Sequence, residues 1–349
     1  MTKRKLTRNQ SRRIQGKMQA SRERNIDFDE SSLGPELEGR IIAHYGSQVE
    51  VESATKESTR CFFRANLKQL VTGDRVVWRM CINPEIEAQT ENDASAKQQG
   101  VVVACHERRS LLSRPDSYGK LKPAAANVDQ IIITVAPKPE FFTNLIDRYL
   151  VVAEINEIEP ILLINKTDLI SEENQAEFES LQAQYKGLGY QCIAISAKQE
   201  TGLQALSEQL QNKTSIFVGQ SGVGKSSTIN QLIPDLDIQV GKLSDAKAKG
   251  RHTTTHSQLF HFPNGGECID SPGIREFGLW HLERDDVVKG FREFQQHQGH
   301  CKFRDCAHNN EPKCAILEAL ENGDISSERF DSFKRIVASL DEVDVKPEH

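Results

Sequence analysis

Between residues 39 and 105, apolar and polar positions alternate over short runs rich in β-branched side chains. Residues 40–45 and 48–51 flank Gly46-Ser47 and predict a hairpin; residues 61–65, 74–79 and 100–105 add three strands. Five short strands so close together predict a small closed barrel, with an OB-fold as first choice. Residues 83–99 lack apolar periodicity and read as a long exposed loop. Residues 114–128, with Pro115, Gly119, Pro123 and three consecutive alanines, read as a linker. Past it the period changes. Residues 130–135 form a continuous apolar run, as expected of a strand covered on both faces. A helix over 144–156 follows, then a strand at 161–164, a helix over 172–187, a strand at 191–195 and a helix after Gly202. The strand at 214–218, a helix from Ser227, and strands at 258–262 and 267–269 continue the alternation. This order predicts a mostly parallel α/β sheet with right-handed crossovers, whose sites fall at the strands' C-terminal ends. Helices over 285–296, 315–321 and 327–340 close the chain.

With 349 residues there is room for two or three domains, and 37% hydrophobic against 27% charged residues suits a chain that folds on its own core. No apolar run is long enough to cross a membrane, and the basic N-terminus lacks the apolar core of a secretory signal, so a cytoplasmic protein is expected. Charge is unevenly spread. Residues 1–24 carry nine Lys or Arg against Glu23, or +8, while the whole chain is −6, which leaves −14 on the remainder. A basic arm on an acidic body suggests contact with a polyanion such as RNA; a solvated tail is the alternative. The barrel admits the same two readings, an RNA-binding module or a spacer. Arg108, Arg109 and Arg114 add positive charge at its exit or lie on a solvated edge. Cys61, Cys81, Cys105, Cys192 and Cys268 are scattered, mostly in apolar runs, and read as buried thiols.

Gly219-Gln220-Ser221-Gly222-Val223-Gly224-Lys225-Ser226 matches G-x-x-x-x-G-K-[ST], set between a strand and a helix that begins with Ser227. Glycines there let backbone N–H groups turn onto phosphates, and the helix N-terminus adds partial positive charge. Lys225 is expected to reach the β- and γ-phosphates and Ser226 to ligate Mg²⁺. Asn165-Lys166-Thr167-Asp168 follows the 161–164 strand and has the N-K-x-D pattern that reads guanine. The Asp168 carboxylate can accept from both the ring N–H and the amino group of guanine, a pairing adenine would leave unmade. Asn165 would brace the loop, the Lys166 stem would cover the ring, and Ser196-Ala197-Lys198 at the next strand end would supply a backbone N–H. Asp270-Ser271-Pro272-Gly273 has the D-x-P-G pattern, with Asp270 holding Mg²⁺ through water and the Gly273 N–H near the γ-phosphate. Between these lies the loop from Gly250 to His256, in which Thr254, then Thr253, is the candidate to complete Mg²⁺ coordination. Ile274 stands where many GTPases carry a water-orienting Gln, so intrinsic hydrolysis is expected to be slow. His252, ahead of His256, is the candidate to activate water; a structural or solvent-facing histidine is the alternative.

Cys301, Cys306, His308 and Cys314 lie within 14 residues and match the ligand set of a closed structural Zn²⁺ site; a redox pair or buried thiols are the alternatives. A small helical domain clipped by one metal depends on that metal to stay folded.

The motif order is unusual: guanine readers, P-loop, Thr-rich loop, D-x-P-G. Circular permutation of an ordinary GTPase explains it, since termini usually lie at the surface and close together. This permuted order, with the preceding barrel and the following Cys-Cys-His-Cys set, resembles the bacterial small ribosomal subunit-dependent GTPase A family (RsgA/YjeQ) over residues 36–340. The resemblance implies an OB-fold RNA-binding domain (36–115), a circularly permuted GTPase domain (116–280) and a zinc-binding helical domain (281–349), after the basic arm (1–35) read from charge. It further implies GTP or GDP with Mg²⁺, one structural Zn²⁺, and a monomer. Its expected partner is the small (30S) ribosomal subunit with its 16S rRNA, in whose late maturation it acts and which stimulates hydrolysis. The rival classes are a P-loop kinase or ATPase of small metabolites, and a zinc-held RNA-binding protein with a weakly hydrolytic nucleotide site.

Overall fold

A computed structural model describes residues 30–64, 66–67, 69–82, 99–115, 120–233, 236, 257–270 and 282–343. The chain divides into two compact units at Arg108/Arg109. In the first, β1 (Leu33–His44), β2 (Val49–Ser53), β3 (Ser58–Phe63), β4 (Arg75–Cys81) and β5 (Gln99–Cys105) hydrogen-bond in the order β1-β2-β3-β5-β4, and β4 returns to β1. Only β3–β5 is parallel. This is the closed five-stranded barrel of an OB-fold. Inward positions of the alternating runs, among them Ile41, Val51, Cys61, Val76, Trp78 and Val102, form its core. β1 starts earlier than the alternation suggests, at buried Leu33 opposite Cys81. It accommodates Pro35 where the register shifts between Leu33 and Glu36, so the missing N–H breaks no regular ladder.

Arg108 is not a free charge. Its Nε and Nη2 donate to the two oxygens of fully buried Asp74 at 2.7 and 2.9 Å, and Nη2 also reaches the Gln69 carbonyl at 2.8 Å. Asp74 additionally accepts from the Val71 N–H at 2.8 Å, so the pair pins the turn into β4. In the second unit Arg109 is likewise engaged, with Asp129 at 2.8 Å. Of the scattered cysteines, Cys61 and Cys268 are buried, while Cys81, Cys105 and Cys192 are only half-buried near strand ends.

The second unit opens with a correction. The stretch expected to be a linker contains β6 (Leu111–Pro115) and β7 (Leu121–Ala126), paired antiparallel. Ala124, Ala125 and Ala126 are buried and face a ladder containing buried Leu112; small side chains here mark close packing rather than a spacer. β8 (Gln130–Val135), α1 (Thr143–Ile155), β9 (Glu159–Ile164), α2 (Gln175–Gly187), β10 (Gln191–Ala194), α3 (Leu203–Leu210), β11 (Thr214–Val218), α4 (Lys225–Leu232), β12 (Gln258–His261) and β13 (Glu267–Asp270) follow. The sheet order is β10-β9-β8-β11-β13-β12, parallel except for β12–β13. Every residue of β8 and β11 is buried, which accounts for the apolar run of β8 and for Ile216-Phe217-Val218 of β11.

Four helices complete the unit: α5 (Arg284–Lys289), α6 (Arg292–Gln295), α7 (Ala315–Asn322) and α8 (Ser327–Val343). The single helix expected over 285–296 is broken at Gly290-Phe291. Gly290 lies against α1, where an added Cβ would sit 2.8 Å from the Val151 Cα. This helical region is fastened to α1 by buried charge. Arg329 of α8, 2% exposed, donates to Glu293 at 2.6 and 3.2 Å and to Asp147 of α1, which also accepts from the Tyr185 hydroxyl at 2.6 Å. Burial opposes the guanidinium charge, but Asp147 and Glu293 more than offset it and hold Arg329 protonated. Arg292 repeats the device half-buried: it bonds Glu154 at 2.6 Å and lies 4.0 Å over the Tyr190 ring. No helix among the described residues is long and apolar enough to cross a membrane.

Candidate nucleotide site and metal centre

The sheet brings the predicted motifs to one edge. Ile133 of β8 is level with Val218 of β11, and Ile164 of β9 is level with Val135 and with Ala194 of β10. Gly219, Asn165 and Ser196 therefore leave neighbouring strands on the same side, and Asp270 ends β13 beside β11. Gly219 has φ +130°, and a Cβ there would lie 2.2 Å from the Thr134 carbonyl oxygen; the chain can leave β11 against β8 only as glycine. Gly224 has φ +99°, and its missing Cβ leaves room for Asn165 Nδ2, which would be 2.3 Å away. The loop thus turns directly into α4, whose first residues are Lys225, Ser226 and Ser227. Lys225 Nζ reaches back over the loop to the carbonyls of Gly219 (2.7 Å) and Gln220 (2.6 Å).

Buried Asn165 joins the three motifs. Its Nδ2 donates to the Val223 carbonyl at 3.0 Å and to Thr228 Oγ1 at 3.3 Å, while Oδ1 accepts from the N–H of Lys166 at 2.7 Å and of Ala197 at 3.4 Å. One side chain therefore fixes the spacing between the N-K-x-D loop, the glycine loop and Ser196–Lys198. Lys166 takes the left-handed conformation (φ 58°), and its Nζ crosses to the carbonyls of Gly222 (2.5 Å) and Lys138 (2.9 Å). Its stem lies between the two loops, as a residue covering a ring face requires. Asp168 accepts from Ser196 Oγ at 2.5 Å, and that oxygen accepts from the Gln199 N–H at 3.2 Å. The carboxylate is held in place by the following motif. Thr228, absent from the sequence expectation, is fully buried and donates to the Gly224 carbonyl at 3.0 Å. Its signal was available: a hydroxyl four residues beyond Gly224 can bond back into the first turn.

His252, Thr253, Thr254, Gly273 and Ile274 lie outside the described residues, as do Gly250, Ser271 and Pro272. Asp270 is described, at the end of β13.

Cys301, Cys306, His308 and Cys314 converge, with all four ligand atoms within 4.8 Å of one another. Cys301 Sγ lies 3.9 Å from Cys314 Sγ and 3.6 Å from His308 Nδ1, which is 3.3 Å from Cys314 Sγ. A tetrahedron with Zn–S of ~2.3 Å and Zn–N of ~2.0 Å has edges of roughly 3.5–3.8 Å, so the donors fit zinc. Burial raises the Cys306 thiol and pushes Cys314 up to about 12, and it lowers the His308 imidazole, favouring the neutral form that can coordinate. Thiols buried in this way become thiolates when a cation replaces their protons. Glu311 shapes the loop between ligands by accepting from the N–H groups of Ala307 (2.8 Å), Asn309 (2.8 Å) and Asn310 (3.1 Å). Sequence reasoning missed it, because a lone acid among ligands has no distinguishing pattern.

The sequence profile of the RsgA GTPase family matches residues 105–280. A protein of Saccharophagus degradans named small ribosomal subunit biogenesis GTPase RsgA is 50% identical over 99% of this chain and all of its own length. One of the same name from Azotobacter vinelandii is 52% identical over 98% and 99%. The chain belongs to the RsgA GTPase family. Solved structures agree with that membership. YjeQ from Thermotoga maritima superposes with a TM-score of 0.69 at 34% identity, covering 88% of this chain and 99% of its own. YloQ, described as a circularly permuted GTPase, gives 0.66 at 26% identity over 92% and 100%. The RsgA-family chain thus has the permuted GTPase fold that its motif order implied, with the barrel before it and the Cys₃His cluster after it.

Proposed function

We propose that this protein hydrolyses GTP to GDP and phosphate in the cytoplasm, as a monomer, and acts in late maturation of the small ribosomal subunit. The observation that carries the reading is Asn165, whose amide spans the base-reading loop, the glycine loop and Ala197. In this reading Asp168 pairs with guanine and is oriented by Ser196. Lys166 covers the ring, Ala197 and Lys198 lie at its edge, and residues 219–227 cradle the phosphates. Lys225 neutralises charge developing on the β- and γ-phosphates. Ser226, Asp270 and Thr254 hold Mg²⁺, Gly273 lies near the γ-phosphate, and His252 activates water.

The division into an arm (1–35), an OB domain (36–115), a GTPase domain (116–280) and a zinc-binding helical domain (281–349) belongs to the same proposal. One Zn²⁺ is held by Cys301, Cys306, His308 and Cys314 in a structural role, since the four protein donors leave no open position. The arm, barrel and zinc region contact 16S rRNA. GTP turnover with and without purified small subunits tests the assignment. Stimulation by subunits, with competition by GDP but not ADP, is expected. Turnover indifferent to subunits would sink the ribosomal role, and equal competition by ADP would sink guanine recognition.

A further inference from the structure

Two phenylalanines are strongly exposed among the described residues, Phe142 at 59% and Phe303 at 41%. Phe142 edges a hollow beside Gly219 and α1, whereas Phe303 stands on the loop between the zinc ligands Cys301 and Cys306. That loop is unusually well anchored for a surface segment. Ligands bracket it, and the Lys302 N–H donates to the Lys313 carbonyl at 3.1 Å. The Lys302 ammonium lies 5.2 Å from the Phe303 ring centroid, and Lys302, Arg304 and Lys313 are all exposed. Of the two acids between Cys301 and Cys314, Glu311 is occupied with three backbone N–H groups, and Asp305 follows Arg304. An exposed aromatic ring on an anchored loop, with Lys302 beside it and Arg304 next in the chain, matches the chemistry of a nucleobase flanked by phosphates.

We infer that Phe303 is a stacking platform for one unpaired RNA base, with Lys302 and Arg304 contacting the adjoining phosphates. This rests on the reading that the zinc region contacts RNA, and it specifies that contact as single-stranded. Exposed aromatic area on an ordered loop costs little entropy to engage, and every base offers a π-face, so the platform selects unpaired structure rather than sequence.

The test uses the full-length zinc-loaded protein and two labelled probes, an RNA hairpin with a single-stranded loop and a fully paired RNA duplex. Phe303→Ala is expected to weaken hairpin binding at least about fivefold and leave duplex binding unchanged, with zinc content intact. Phe303→Trp is expected to retain hairpin affinity and to show indole quenching on binding; absence of quenching overturns the stacking contact even if the Ala variant loses zinc. Unchanged hairpin affinity in Phe303→Ala, while Lys302→Ala with Arg304→Ala weakens it, overturns stacking and leaves the RNA reading standing. Unchanged affinity in all of these variants overturns both.

Discussion

The nucleotide site and the metal centre reach order by opposite routes. Asn165 is 58 residues from Val223 and 63 from Thr228, the groups it joins; the Cys₃His donors all lie within 14 residues, from Cys301 to Cys314. The first site exists only after five strands align and their C-terminal ends share an edge. It therefore inherits the stability of the sheet core, and its glycine loop needs no ligand to hold its shape: Asn165, Lys166 and Lys225 already bond its carbonyls. The second is a short loop with little apolar content of its own, whose buried thiols are disfavoured as thiolates without a cation. A site assembled by tertiary contacts tolerates cutting and rejoining of the chain, because only the spatial order of strand ends matters. A site assembled from one segment tolerates no such cut.

Removal of zinc should separate the two most sharply. Structural zinc contributes on the order of 10 kcal/mol of apparent binding free energy to small domains. Chelation, or Cys306→Ser, should strip hydrogen-exchange protection from residues 297–314 while GDP affinity stays within about twofold of the parent, a few tenths of a kcal/mol. A parallel loss of nucleotide affinity would show that the two regions are not independent. The next effect lies at their junction. Arg329→Ala leaves the Asp147 and Glu293 carboxylates buried together and should cost about 3–5 kcal/mol in denaturant unfolding. Adding Asp147→Asn and Glu293→Gln should recover much of that loss; no recovery would mean that packing, not charge, makes the clamp. Lys225→Ala should lower GTP turnover by about 100- to 1,000-fold. Its zinc content and hydrogen-exchange protection at residues 297–314 should match the parent, since the P-loop lysine bonds the Gly219 and Gln220 carbonyls at the sheet's end. A zinc-depleted Lys225→Ala protein would refute that separation.

The same contrast explains what could be read from the chain beforehand. β8 was legible because burial on both faces demands a nearly continuous apolar run, and β11 because its apolar end leads into the glycine motif; the strand-end motifs were legible because phosphate and guanine chemistry restricts residue type. The Cys₃His cluster was legible as a local count. The β6–β7 ladder was not: prolines and alanines mark loops by composition, and only partners elsewhere reveal that Ala125 and Ala126 are buried. Nor was Arg329, one of many arginines until the helices dock on α1 and bring Asp147 and Glu293 to it. The break at Gly290 was hidden for a related reason, since its cause is Val151 on another helix. Contacts set by distant packing leave no periodic trace.

The smallest effect belongs to Glu311, where the local route can be probed within the zinc loop itself. Backbone N–H groups of Asn309 and Ala307, then Asn310, stabilise its ionised form and bring the carboxyl down to about 2 from its usual 4.5. A carboxyl depressed on folding contributes stability above its unfolded value, and that contribution is lost as pH falls from about 4.5 toward 2. The group is only half-buried, so solvent screens it and the contribution is small. In carbon-detected NMR the Glu311 carboxyl should titrate near pH 2, apart from the other glutamates. Glu311→Gln keeps one acceptor oxygen but loses the charge. The stability difference between parent and variant should therefore be flat above about pH 5 and narrow from about 4.5 toward 2, as the unfolded and then the folded parent takes up the proton. A Glu311 midpoint near 4.5 would mean that the three N–H groups do not hold the carboxylate in solution. Shaping of the loop would then fall to the metal ligands alone.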